Sequence, residues 1–174
     1  MKTFVRILPL FLALPLLAQV SSQQADPWHA LGFLQGTWEA NASGQSGAQA
    51  QGTYTFQMEL KNHVLARHSH YAAGCKGPAD FDCDHGDLLY VYQEAPGQAL
   101  KALYLDNEGH VIHYSVSTPS ATSAEFISDA SQSGPQFRLL YELHGAVMSG
   151  KFQIRMPGQN DWKSYLEWNG SKRT

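Results

Sequence analysis

The sequence predicts an all-β fold: an antiparallel meander barrel of about ten strands with one short N-terminal helix. Three observations carry that expectation. Short runs with a two-residue period recur along the chain, most plainly Tyr54, Phe56, Met58 and Leu60 against Thr53, Thr55, Gln57 and Glu59. Turn-forming clusters separate these runs, among them Lys61-Asn62, Pro96-Gly97, Asp106 to Gly109 and Pro157 to Asn160. No helical periodicity extends past the opening residues of the mature chain, and short strands on short connections close as a meander barrel or pack as a sandwich.

Length and composition limit what such a fold can do. At 174 residues, 43% hydrophobic and 16% charged, the chain is long enough for one domain with a real core and too short for two. Lys2 and Arg6 precede an apolar run from Ile7 to Ala18, followed by small and polar residues, which is the pattern of a secretory signal peptide. The run is shorter than the ~20 residues a bilayer-spanning helix needs, and it contains Pro9 and Pro15. Cleavage after Ser22 or after Ala25 fits the small-residue pattern. Taking Ser22, residues 1–22 are the signal peptide and 23–174 a single barrel domain, exported to the periplasm or the extracellular space. Of 12 basic residues, Lys2 and Arg6 leave with the signal, so 10 face 15 acidic ones and the formal net charge becomes −5. That balance argues against nucleic acid or an anionic membrane as partner, since both require clustered Lys and Arg.

Taken in order, Asp26-Pro27 is a helix start, with Asp as N-cap and Pro at the first helical position. Leu34 to Glu39 reads as the first strand, and the small, polar residues 40–51 as a loop or a fraying strand end. The alternating strand 53–60 turns at Lys61-Asn62 and returns over His63 to Ala72, which places Leu60 opposite His63 and Thr55 opposite His68. Strands follow over 88–93 and 100–105. Residues 103–116 form a hairpin on Asp-Asn-Glu-Gly, Pro119 to Thr122 is a turn, and further strands cover 124–128, 137–143, 151–156 and 164–168. Cys75 and Cys83 are the only cysteines and bracket a short Gly- and Asp-rich loop. In an exported chain they pair as a disulfide, with a metal pair as the alternative.

The stretch Phe33-Leu34-Gln35-Gly36-Thr37-Trp38, after a helix turn, resembles the Gly-x-Trp start of lipocalin-like (calycin) barrels, in which Trp closes one barrel end. The mature chain further resembles a group of uncharacterised exported bacterial proteins with barrels of that kind. The matching stretches are Tyr104 to Tyr114, Phe126-Ile127-Ser128-Asp129, Phe137 to Tyr141 and Tyr165 to Trp168. The resemblance implies the barrel and little about activity, because a fold does not fix chemistry. Nitrobindin-type haem barrels begin similarly but ligate iron through a His near the C-terminus, and Tyr165 to Thr174 contains none.

Candidate functional residues divide among three readings. The first is a non-enzymatic binder of a small, mainly apolar molecule in the lumen, with Trp38, His68, His70, Tyr104 and His113 as its contacts and no cofactor. The second is an acid–base enzyme that pairs His110 or His113 with Asp106 or Glu108. The third is a haem or transition-metal binder through His68-x-His70, whose imidazoles share a strand face, with His85, Asp87 or His113 as a further ligand. Asp80-x-Asp82-x-Asp84 lacks the Gly and closing Glu of a calcium loop. Gly-x-Ser-x-Gly, His-Glu-x-x-His and a phosphate-cradling glycine loop are all absent.

Overall fold

The computed structural model describes residues 26–44, 47–71, 74–79, 81–130 and 133–173. The expected signal peptide, its cleavage site and Asp80 lie outside the described residues. Ten antiparallel strands form a closed barrel in which each strand pairs with its neighbours in sequence and the last closes on the first. They are β1 (Gly36–Gly44), β2 (Gln49–Glu59), β3 (Val64–Tyr71), β4 (Gly86–Tyr92), β5 (Lys101–Asp106), β6 (Val111–Ser120), β7 (Ser123–Ser128), β8 (Gln136–His144), β9 (Val147–Arg155) and β10 (Lys163–Lys172). Helix α1 (Pro27–Ala30) precedes them. Asp26 caps it, accepting a hydrogen bond from Trp28 N at 3.0 Å, and a 3₁₀ turn over Gly32–Leu34 follows.

The two-residue period places alternate side chains inside and outside the barrel. The register Thr55↔His68 is the one the alternation predicts, although the connection differs. Leu60, Lys61 and Asn62 are all left-handed, with φ of 47°, 55° and 66°, so the strands are joined by a wider loop than two residues. Three further departures follow, the first two with one physical basis. The small, polar residues 40–51 are mostly strand: β1 runs to Gly44 and β2 begins at Gln49, paired as Ala40↔Gly52 and Ala42↔Ala50. Strand formation requires a partner's backbone, and β10 supplies one on the other side through Ala40↔Gly170. For the same reason β10 extends well past Trp168, to Lys172. Pro119 sits inside β6, where the pairing with β7 is irregular between Ser117 and Ser120 and no ladder donor is required of it.

One end of the barrel is plugged. Leu31 and Leu34, from the end of α1 and the 3₁₀ turn, are buried there in one apolar cluster with Trp38, Phe56, Leu65, Val91, Ala124 and Met148. Trp38 Nε1 donates to Leu34 O at 2.8 Å, its ring stacks on Tyr54, and Lys172 Nζ lies 5.5 Å from its centroid. Trp38 is therefore a closure residue, satisfied at its only polar atom.

Candidate ligand cavity and its polar floor

The other end of the barrel is hollow. A cavity of about 350 Å³ occupies it. Ala40, Ala42, Ala50 and Gly52 form one wall, and these short side chains leave the lumen unfilled where β1 and β2 meet. The apolar remainder of the lining is bulky: Ile112, Phe137, Leu139, Phe152, Ile154 and Leu166. Gly150 allows Trp168 to lie against β9, since a Cβ at that position would sit 2.1 Å from the indole ring.

The floor of the cavity is a polar cluster centred on Arg67. Its guanidinium donates from Nη1 to the Tyr141 hydroxyl and from Nη2 to Asp87 Oδ1. The ion pair is nearly sealed, with side-chain exposures of 6% and 10%. Burial alone would push the Asp87 carboxyl up, but the charge of Arg67, with its hydrogen bond and the neighbouring His85 and Ser69, holds it below the usual carboxylate range. Burial likewise works against the Arg67 charge, and Asp87 with the surrounding tyrosines outweighs it. Burial raises the hydroxyls of Tyr54, Tyr104 and Tyr114, and pushes Tyr141 up to about 12, so all four stay neutral at physiological pH. Arg67 Nε, the hydroxyls of Tyr54, Ser69 and Tyr114, and Trp168 Nε1 are buried without a hydrogen-bond partner, and all five residues line the cavity. Tyr54 and Ser69 have polar neighbours, Trp168 and Asp87 respectively, without completing hydrogen-bond geometry. In close-packed interiors such orphaned groups are uncommon.

The mouth is built from the loop before β4 and the β5–β6 turn. Cys75 and Cys83 are disulfide-bonded, with Cα atoms 5.5 Å apart. The loop is also bridged to β2, where Gln49 and Lys76 exchange two backbone hydrogen bonds of 2.7 Å. Asn107 ties it to the turn: its side chain accepts from Gly86 N at 3.0 Å and donates to Asp84 O at 2.8 Å. Asp106 is consumed by the turn itself. It accepts from the backbone N–H groups of Glu108 and His110, from His110 Nδ1 at 2.8 Å and from the Tyr104 hydroxyl at 3.2 Å. Burial would raise its pKa, and these bonds from His110 and Tyr104 lower it below the ordinary value, so it stays ionised and is a poor proton acceptor. His85 hangs over the floor. Its Nδ1 lies 2.8 Å from Glu108 Oε1, and its Nε2 lies 3.2 Å from the Tyr104 hydroxyl and 3.5 Å from Asp87 Oδ2.

The sequence-predicted residues are thus dispersed. Tyr104 points inward, within the floor network. Trp38 is at the plugged end and does not line the cavity. His68 lies on the outer face, 3.5 Å from Glu59 and edge-on to Tyr90, so its place in a luminal contact set is corrected by the strand parity that puts Arg67 inside. His113 is exposed on the outer face of β6, for the same reason, while Tyr114 beside it is buried. His70 shares the outward parity of His68 but reaches the rim of the cavity, 3.4 Å from the Thr53 hydroxyl. The proposed acid–base partners separate into two pairs, His110 with Asp106 and His85 with Glu108, and His113 joins neither. Arg67, Tyr141 and the floor were missed, although the signal was present: a register with Thr55 opposite His68 sets Phe56 opposite Arg67, on the apolar side.

No protein-family model matches the chain, and no curated protein matches it. Among solved structures it is similar to three small barrels. EF1p2_mFAP2b bound to DFHBI has 10% identity and a TM-score of 0.40, covering 84% of this chain and 98% of that one. A de novo designed fluorescence-activating beta barrel has 10% identity and a TM-score of 0.39, covering 83% and 98%. A redesigned beta barrel has 12% identity and a TM-score of 0.39, covering 84% and 96%. Likeness at this level carries nothing about what the lumen holds.

Proposed function

We propose that the protein is an exported lipocalin-like barrel that binds a small, mainly apolar molecule in the open half of its lumen. The observation that carries this reading is the cavity of about 350 Å³ with apolar walls above a buried floor of unpartnered polar groups. Ligand sites commonly have this form: concave, mostly apolar, with a few fixed polar atoms. An apolar body fits in the space bounded by the alanine wall, Phe137, Phe152 and Leu166. A hydrogen-bond acceptor at its buried end would face Arg67 Nε–H and the Tyr114 hydroxyl, two of the five buried groups without a hydrogen-bond partner. Tyr104, between floor and mouth, is the one sequence-predicted contact in the middle of that path, and His70 stands at its edge.

The reading is tested with N-phenyl-1-naphthylamine, a neutral apolar dye, titrated into the mature protein and followed by dye fluorescence. Saturable binding at one dye per chain is expected, and Ala50→Phe, which fills the lumen from the small-residue wall, should weaken it at least about tenfold while leaving the thermal midpoint in place. Absence of saturable binding, or equal affinity in Ala50→Phe, would overturn it.

A further inference from the structure

One cluster at the mouth offers chemistry that the luminal reading does not use. Asp82, His85 and Glu108 each bring one ligating atom to within 4.8 Å of the others. We infer that these three residues form a site for a first-row divalent transition ion, zinc in the first instance, with a further coordination position open toward the cavity.

The donor set selects the class of ion. One imidazole nitrogen with two carboxylates suits zinc and its neighbours, whereas calcium and magnesium take oxygen ligands almost alone. The spacing is close to what one ion needs. Two donors on one zinc, each bonded at about 2.0–2.2 Å, stand about 3.3–3.6 Å apart in tetrahedral geometry. His85 Nδ1 and Glu108 Oε1, at 2.8 Å, would open by roughly half an ångström. Glu108, on a turn with 43% of its side chain exposed, is free to make that adjustment.

The orientation of His85 is a separate observation. Its other ring nitrogen faces Asp87 Oδ2 at 3.5 Å and the Tyr104 hydroxyl at 3.2 Å. A carboxylate behind the far nitrogen is the usual support of a metal-bound imidazole, because it fixes the ring and leaves the near nitrogen for the ion. Here that carboxylate is anchored by Arg67, a group outside the cluster. The field has the right sign as well. Asp82, Asp87, Asp106 and Glu108 line this mouth, and Arg67 is the one Lys or Arg among the described lining residues. Finally, the two segments that supply the donors are fastened by the disulfide, the Gln49–Lys76 bridge and Asn107. Little ordering is left for the ion to impose.

The test uses the mature, disulfide-bonded chain after dialysis against EDTA, with zinc chloride followed by calorimetry and cobalt chloride by visible absorption at pH 7.5. One ion per chain is expected, with ligand-field bands from cobalt that zinc abolishes and a large excess of magnesium does not. Glu108→Gln, which keeps a hydrogen-bonding partner for His85, and His85→Ala should each weaken zinc at least about tenfold. The double variant His68→Ala/His70→Ala, at two outward-parity positions that supply none of the three donors, should leave zinc affinity unchanged. Absence of stoichiometric binding overturns the inference, as does loss of binding in the His68/His70 double variant with retention in Glu108→Gln. Dye binding in the lumen is read separately, so failure of the metal site and failure of the luminal reading are distinguishable.

Discussion

The two halves of the barrel are built from the same strands and differ in what their inward positions carry. Toward the plugged end, β1 and β2 present Trp38, Phe56 and Met58, while toward the mouth the same two strands present Ala40, Ala42, Ala50 and Gly52. Between them lies the layer of Arg67, Asp87 and the inward tyrosines. The first half is a packed core, stabilised by burial. The second forgoes several large side chains, each worth roughly 1.5–3 kcal/mol when buried, and keeps a cavity instead. The difference locates stability in one half and, on the proposed reading, recognition in the other, with the ion pair at the boundary between them.

The sharpest way to break that division is to break the boundary. Arg67→Met should cost about 3–5 kcal/mol in urea unfolding, because it strands Asp87 as a buried, unpaired carboxylate. An Arg67→Met protein as stable as the parent would show that the layer is hydrated rather than sealed. Next in size is the disulfide. Replacing Cys75 and Cys83 by Ser should cost ~2–3 kcal/mol by the loop-closure account, and should weaken dye binding as well, since the tether shapes the mouth. An unchanged dye affinity would separate the mouth loop from recognition.

The mouth also sets the pH response. The Asp106 carboxyl is lowered, so its stabilisation is complete above about pH 4 and is lost as pH falls through its folded value. His85 moves the other way. Burial works against its charge, but Asp87 and Glu108 outweigh burial and raise it, so its contribution is complete below about pH 6.5 and is lost as pH rises through the folded value. Melting temperature should therefore decline on both flanks, with Asp106→Asn flattening the acid flank and His85→Gln the alkaline one. A parent profile that either variant leaves unaltered would remove that group from the account. The smallest effect belongs to the outer face: His113→Ala should shift stability by less than about 0.5 kcal/mol and leave dye affinity untouched.

The barrel was legible in the sequence because alternation and turn chemistry are local signals. Tyr54 to Glu59 declares its faces without help from the rest of the chain, and centring the reversal on Lys61-Asn62 gives the observed register with His68 although the loop is wider than two residues. The cavity was not legible. Residues 40–51 carry no apolar pattern; the strand character of 40–44 comes from pairing with β10, a partner more than a hundred residues away, and that of 49–51 from pairing with β1. Histidines also drew notice as rare reactive groups, whereas side-chain parity decides which of them reach the lumen, and for His68 and His113 it points away. Arg67 shows the reverse case: a charged residue in a strand suggests solvent until its neighbours Leu65 and Leu89 are seen to share its face.

The alanine wall has a consequence for how this protein can change over generations. Side chains at 40, 42 and 50 end at Cβ and line the cavity, so a longer residue there extends toward the lumen and away from the plugged end. Lumen shape can be redrawn by single substitutions that the fold does not register, one position at a time. In this barrel the residues that look least informative are the ones through which new binding preferences can be acquired without first repairing the scaffold.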